Sequence, residues 1–176
     1  SSTIVVQAPI IDTLPKFTNS STISVSGFSS NAVRVEIYID GEKSAETSVD
    51  SSRFKYENLK LKEGENNISA KAFDASDTAS DFSETVKIVF NNKEPKLEVT
   101  SPFENQEFSV NNRIKVEGNT QKDVQVFANG FLANVSVDGK FDVTIPLLEG
   151  ENNVEVKAVD EASNAKVITV KVIFRK

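Results

Sequence analysis

The sequence predicts an all-β chain folded as two tandem β-sandwiches of about seven strands each. Three observations predict it: an internal repeat, apolar residues alternating with a period of two, and turn signals at short intervals. Glu63-Gly64-Glu65-Asn66-Asn67-Ile68-Ser69-Ala70-Lys71-Ala72-Phe73-Asp74 returns 86 residues later as Glu149-Gly150-Glu151-Asn152-Asn153-Val154-Glu155-Val156-Lys157-Ala158-Val159-Asp160, with eight of twelve positions identical. Upstream, Ile23-Ser24-Val25-Ser26-Gly27 matches Ile114-Lys115-Val116-Glu117-Gly118, and Asp40-Gly41 matches Asn129-Gly130. Val49-Asp50 ahead of Phe54 likewise matches Val137-Asp138 ahead of Phe141. The repeats are therefore placed at residues 1–92 and 93–176, with Asn91 to Pro95 as the linker and Ser1 to Gln7 as either a tail or an early first strand.

Strands with one face buried and one face wet alternate apolar and polar side chains. Val33, Val35, Ile37 and Ile39 are expected to point inward, and Arg34, Glu36, Tyr38 and Asp40 outward. Val124, Val126 and Ala128 take the inward part in the second copy. Ile68, Ala70 and Ala72 alternate with Asn67, Ser69 and Lys71, and the last strands set Val86, Ile88 and Phe90 against Val170, Val172 and Phe174. No stretch keeps a helical period for ten residues. Asp40-Gly41 and Asn129-Gly130 are two-residue hairpin turns, because Asp, Asn and Gly tolerate the positive φ of a type I′ turn. Asp138-Gly139 and Glu149-Gly150 mark later turns.

Each repeat resembles a bacterial immunoglobulin-like domain, of the kind found as domain B of glucodextranase and in tandem arrays on bacterial cell-surface proteins. The pattern runs from a proline and "TN" through an "xIxVxG" strand, a "VxVYxNG" hairpin and a "DGxF" strand to "LxEGxNxIxVxAxDxAGN". Pro15 with Thr18-Asn19, Ile23 to Gly27, Val35 to Gly41, Asp50 with Phe54, and Leu61 to Asp77 carry it in the first copy. Ile114 to Gly118, Val124 to Gly130, Asp138 to Phe141 and Leu147 to Asn164 carry it in the second. Both copies lack the glycine of the final motif, at Asp74-Ala75-Ser76-Asp77 and Asp160-Glu161-Ala162-Ser163-Asn164, which leaves the conformation of that loop open. The resemblance implies immunoglobulin-like (fibronectin III-like) sandwiches serving as spacers or accessory modules.

Composition removes most chemistries. The chain has no His, Cys, Met or Trp. It can therefore build no Ser-His-Asp triad, thiol nucleophile or imidazole shuttle, and none of the usual zinc, haem or iron–sulfur ligand sets. Acids at turns and on outward strand faces, without a cleft, do not make the paired carboxylates of a glycosidase; the chain reads as not an enzyme and as needing no cofactor. The net charge is -6, with neither repeat basic, which argues against nucleic acid. The longest apolar runs are far shorter than the roughly 20 residues of a membrane helix.

Two weaker constellations remain. Tandem immunoglobulin-type sandwiches would bring Glu63, Glu65, Asn91, Asn92 and Glu94 toward Asp123, Asp160 and Glu161, an oxygen-rich set able to hold calcium at the junction. The competing reading is plain solvation of acidic loops. Tyr38 is the one outward tyrosine and so the candidate stacking platform for a sugar, whereas Tyr56 shares a face with Phe54 and reads as core. Phe28, Phe103 and Phe131 lie near turns. No inward lysine is available for a Lys–Asn isopeptide bond, and Asn19, Asn67 and Asn134 are glycosylation acceptors only in a host that has the machinery.

The expected role is a non-catalytic structural or spacer pair from a larger bacterial cell-surface or secreted protein. The alternative is an adhesive or carbohydrate-binding accessory domain. The expected partners are other domains of the parent protein, with glycans or a host or surface protein under the alternative. An extracellular or cell-surface setting follows from the polar Ser/Asn-rich strands and the absence of oxidisable Cys, Met and Trp.

Overall fold

A computed structural model describes residues 5–176, and the chain divides into two compact units, one ending at Asn92 and the other running Lys93–Lys176. Every regular element among the described residues is a strand. No helix is long and apolar enough to cross a membrane. Of the first seven residues, Ser1 to Ile4 lie outside the described set; Val5 to Gln7 form no strand, and Val6 is buried in the first core.

The first unit holds β1 (Ile10–Ile11), β2 (Phe17–Thr18), β3 (Thr22–Phe28), β4 (Arg34–Ile39), β5 (Glu42–Asp50), β6 (Arg53–Lys60), β7 (Gly64–Phe73) and β8 (Val86–Phe90). One layer is β1-β3-β6 and the other β4-β7-β8-β2, with β5 shared between them: Glu42–Ser48 pairs with β4 and Val49–Asp50 with β6. The second unit holds β9 (Glu98–Ser101), β10 (Gln106–Phe108), β11 (Arg113–Asn119), β12 (Gln125–Ala128), β13 (Phe131–Leu132), β14 (Asn134–Val135), β15 (Lys140–Pro146), β16 (Gly150–Val159) and β17 (Ala165–Phe174). Its layers are β10-β17-β16-β12-β13 and β14-β15-β11-β9. Here the shared strand is split: β13 pairs with β12, β14 pairs with β15, and the buried Ala133 between them donates its N–H to the Val126 carbonyl at 2.8 Å.

Alternation places the cores as the sequence predicts. Val35, Ile37, Ile68, Ala70, Ala72 and Ile88 are fully buried in the first unit, and Val126, Ala128, Val154, Val156, Ala158 and Val172 in the second. Tyr56 packs against the first core. Two expectations are corrected. Val33 precedes β4 and is exposed, because strand geometry begins only at Arg34. Val137 is not the counterpart of Val49: Val49 pairs with Phe54 and Val135 with Phe141, which leaves Val137 in the turn, fully exposed.

The glycine of the "xIxVxG" strand has a steric reason. Gly27 faces Phe54 across the β3–β6 pair, and Gly118 faces Phe141 across β11–β15. Each phenyl ring folds back over its glycine, so a Cβ on either would lie 2.6 Å from the ring Cζ and would also strike a first-strand carbonyl, that of Ile10 or Glu98. An aromatic ring laid across a strand glycine covers backbone that has no side chain of its own.

The repeats differ most in their last strand. β17 pairs with β16 without interruption from Gly150–Phe174 to Val159–Ala165. In the first unit the pairing starts alike, with Phe73 bridging Ala79, and resumes at Ile68–Val86. Seven residue steps from Ala79 to Val86 do the work of five from Ala165 to Val170, so two extra residues bulge out. A regular strand continued back from Val86 would drive Glu84 into the position that Ile168 fills in the second core, and a carboxylate there is costly. The bulge avoids this. Ser80 and Ser83 then repair the ladder: their Oγ atoms accept from the N–H groups of Ala72 and Ala70, both at 2.9 Å.

Candidate functional site

The asparagine and glycine that recur in both copies of the repeated motif close loops. Asn66 is completely buried; its Oδ1 accepts from Lys62 N at 3.0 Å and its Nδ2 donates to the carbonyls of Lys62 at 2.9 Å and Gly64 at 3.0 Å. Asn152 makes the same three bonds to Leu148 and Gly150. Gly64 and Gly150, at φ 90° and 95°, supply the left-handed step that Gly tolerates in these loops. Within the Glu-Gly-Glu-Asn-Asn signature, Gly and the first Asn therefore form a loop clip.

A second clip holds the hairpin turns. Asp40 Oδ1 accepts from both the backbone N and Nδ2 of Asn67 at 3.0 Å, and Asn129 Oδ1 accepts from Glu155 N at 2.8 Å. Lys62 pairs with Asp40 and, together with the Asn67 donors, holds its carboxyl below the usual carboxylate range. In the first unit Asp12 plays a related part, accepting from Arg53 and from Ser26 Oγ at 2.8 Å, and its carboxyl is lowered chiefly by Arg53.

The acidic loops behave similarly. Asp74 Oδ1 takes the N–H groups of Ser76 and Thr78, both at 2.9 Å. Asp160 Oδ1 takes those of Ala162 at 2.9 Å and Asn164 at 2.8 Å. Asp77 and Ser163 stand where the family pattern has glycine, and both adopt left-handed backbone, at φ 61° and 67°. The loop thus keeps a left-handed step without the glycine. Of the oxygen-rich set, Glu63, Glu65 and Asn92 belong to the first unit and Asp123, Asp160 and Glu161 to the second. The latter three line one open hollow of about 540 Å³ together with Lys122. Among the described residues no group of three or more acidic side chains converges as a metal-binding set.

Tyr38 sits on the outward face of β4 within a polar layer. Its ring meets that of Phe82 edge-on, with centroids 5.0 Å apart at 84°. Its hydroxyl donates to Glu36 Oε2 at 3.4 Å, and burial followed by the Glu36 charge raises its pKa. Glu36, although outward, is only 8 % exposed, because Arg34 and Lys43 lie over it at 3.5 and 3.6 Å. Arg34 also reaches Glu46 and Asp77, each at 3.2 Å, and stacks 3.8 Å above the Phe73 ring. Lys71 Nζ stands 4.6 Å from the Phe82 centroid. Tyr38 is therefore half-buried, and the exposed ring beside it is Phe82, 47 % exposed at the crest of the bulge; Phe28, Phe103 and Phe131 are exposed elsewhere on the chain. Alternation alone does not single out Phe82. The usable signal is the two-residue surplus between Ala79 and Val86 when the copies are aligned.

Comparison with known proteins agrees with this architecture. Residues 95–175 match the family model described as glucodextranase, domain B. The chain is 31% identical over 153 residues to Bacillopeptidase F of Bacillus subtilis (strain 168), an alignment covering 84% of this chain and 10% of that protein. The chain thus spans about a tenth of that relative's length. Among solved structures, the fibronectin(III)-like modules of Clostridium thermocellum CbhA align with TM-score 0.63 at 16% identity, over 95% of this chain and 94% of theirs. Titin domains I67–I69 align with TM-score 0.55 at 10% identity, over 97% of this chain and 66% of theirs. Sequence repeat, strand order and these likenesses converge: the chain is a tandem pair of immunoglobulin-like, fibronectin III-like β-sandwiches, the second matching glucodextranase domain B.

Proposed function

We propose that this pair is a non-catalytic structural module of a larger bacterial cell-surface or secreted protein, spacing or presenting a functional domain elsewhere in that protein. The observation that carries the reading is what the two copies share. Asn66 and Asn152, Asp74 and Asp160, Asp40 and Asn129, and Gly27 and Gly118 all serve the fold from within. A duplicated ligand site would instead repeat exposed groups pointing at a common space. An extracellular setting is supported by the absence of Cys, Met and Trp from the sequence. The test is replacement of this segment in its parent polypeptide by an unrelated tandem sandwich of similar length. Retained parental activity and surface display are the expected result; loss of either refutes a spacer role.

One observation favours an adhesive or carbohydrate-binding role as the second reading: Phe82, propped edge-on by Tyr38, offers an exposed ring on a bulge that the second copy lacks. A glycan array probed with the whole chain and with Phe82→Ala separates the two. Binding that disappears in the variant establishes the second reading, and no binding at millimolar glycan removes it.

A further inference from the structure

β17 lies near one edge of its sheet, and β10 covers only its C-terminal end, Val172–Phe174. Just upstream, Lys171 still has edge partners: its N–H donates to Glu104 Oε2 at 3.2 Å and its carbonyl accepts from Asn105 N at 2.7 Å. Further upstream that edge is bare. In an antiparallel pair, alternate residues exchange hydrogen bonds with the neighbour while those between turn N–H and C=O away. The outward bonds of Lys171 fix the parity, so Ala165, Val167 and Thr169 direct their backbone groups out of the sheet edge, without a backbone partner among the described residues.

An open edge templates further pairing, and proteins commonly blunt it with a bulge, a proline or a charge. The first unit has the bulge at the same place. The second does not: its strand is regular, and Ala165, Val167 and Thr169 are exposed. Lys166, the single charge on the bare stretch, is engaged by Glu94 at 3.4 Å.

We infer that this edge docks the same edge of a second copy of the chain, the two β17 strands running antiparallel about a two-fold axis at Val167. The stretch is complementary to itself. With Val167 opposite its own counterpart, Ala165 faces the second copy's Thr169 and Lys166 its Ile168. The central pair is β-branched on both sides and no like charges oppose. The three outward residues of each strand would exchange about six N–H···O bonds across the axis. A closed two-fold contact of this kind ends with two chains, because each edge is consumed by the other.

The chain has no cysteine, so Val167→Cys places one thiol at the axis. Facing residues in a hydrogen-bonded antiparallel pair lie about 5.5 Å apart at Cα, within disulfide reach. Mild oxidation of this variant should give a covalent dimer at least about tenfold faster than Val110→Cys, a control at an exposed position of the same unit. Val167→Lys opposes two ammonium groups at the axis and should weaken dimerisation in sedimentation velocity by about tenfold or more, with the melting temperature unchanged at dilutions where the chain is monomeric. Cross-linking no faster than the control, a dimer indifferent to Val167→Lys, or a chain that stays monomeric up to about 1 mM overturns the proposal. So does a monomer that accepts an unrelated extended peptide on β17.

Discussion

Gly118 lies directly beneath the ring of Phe141: the two face each other across β11 and β15, and a Cβ on the glycine would sit 2.6 Å from the phenyl Cζ. Gly27 and Phe54 repeat the arrangement in the first unit. Each pair joins two sequence motifs that look independent when read along the chain.

Gly118→Ala is therefore expected to destabilise the second unit by roughly 3 kcal/mol, at the upper end of overpacking costs. Phe141→Leu in the same chain should recover only part of the loss, because the Glu98 carbonyl closes the other side. Urea denaturation of the two single variants and the double variant reads the coupling. Additive losses would show that ring and glycine do not compete for the same space.

Removing a loop clip exposes what it satisfied. Asn66→Ala leaves the N–H and C=O of Lys62 and the carbonyl of Gly64 without the amide, and a loss of about 2–4 kcal/mol follows from orphaned groups of this kind. Asn152→Ala should cost less, because Asn152 is only half-buried and water can replace it. Thermal denaturation ranks the two, and faster amide exchange at Lys62 localises the first.

Ser163 holds φ 67° in the loop where the family pattern has glycine. Ser163→Gly relieves that backbone and should stabilise the second unit by about 0.5–1 kcal/mol, the steric relief exceeding the entropy that glycine adds to the unfolded chain. An unchanged or lower denaturation midpoint would show that the left-handed step carries no strain.

Acid should weaken the first unit through Asp12 and Asp40. Both carboxyls are lowered from the ordinary 3.8, Asp12 chiefly by Arg53 and Asp40 chiefly by Lys62. A depressed carboxylate stabilises the fold fully above its unfolded pKa, and that contribution is lost as pH falls through the folded value. The melting temperature should accordingly drop below about pH 4. Asp12→Asn should lower it at pH 6, and the difference from the parent should shrink as the pH falls below 3.8. Added salt should shrink the effect, since both pairs are at the surface.

Alternation made the architecture legible, because a sandwich strand must put every second residue inside; Ile37, Ile68 and Val126 follow from it directly. The left-handed turns at Asp40-Gly41 and Asn129-Gly130 were equally legible, since few residue types tolerate that backbone. Two kinds of feature were not. The loop-closing roles of Asn66, known only as part of the repeat, and of Asp160, weighed as a calcium ligand against a solvated acid, were hidden, because a side chain's bond to a backbone atom four positions away leaves no mark in composition. Phe82 escaped because a bulge breaks the period from which faces are inferred. The offset between Val135 and Val137 had the same origin, a turn one residue longer than its counterpart.

The strand that runs into the turn at Asn129 is two residues shorter, counted from Val126, than the one that runs into the turn at Asp40, counted from Val35. The bulge before Val86 is two residues longer than the matching run before Val170. Even steps of this kind leave every downstream side chain on its own side, whereas the single extra residue of β6 between Tyr56 and Leu59 is shed in a bulge, with Asn58 in left-handed backbone at φ 60°. A single-residue insertion in the middle of β16 would turn one half of that strand inside out. Odd drift between such copies survives only where a bulge or a turn absorbs it.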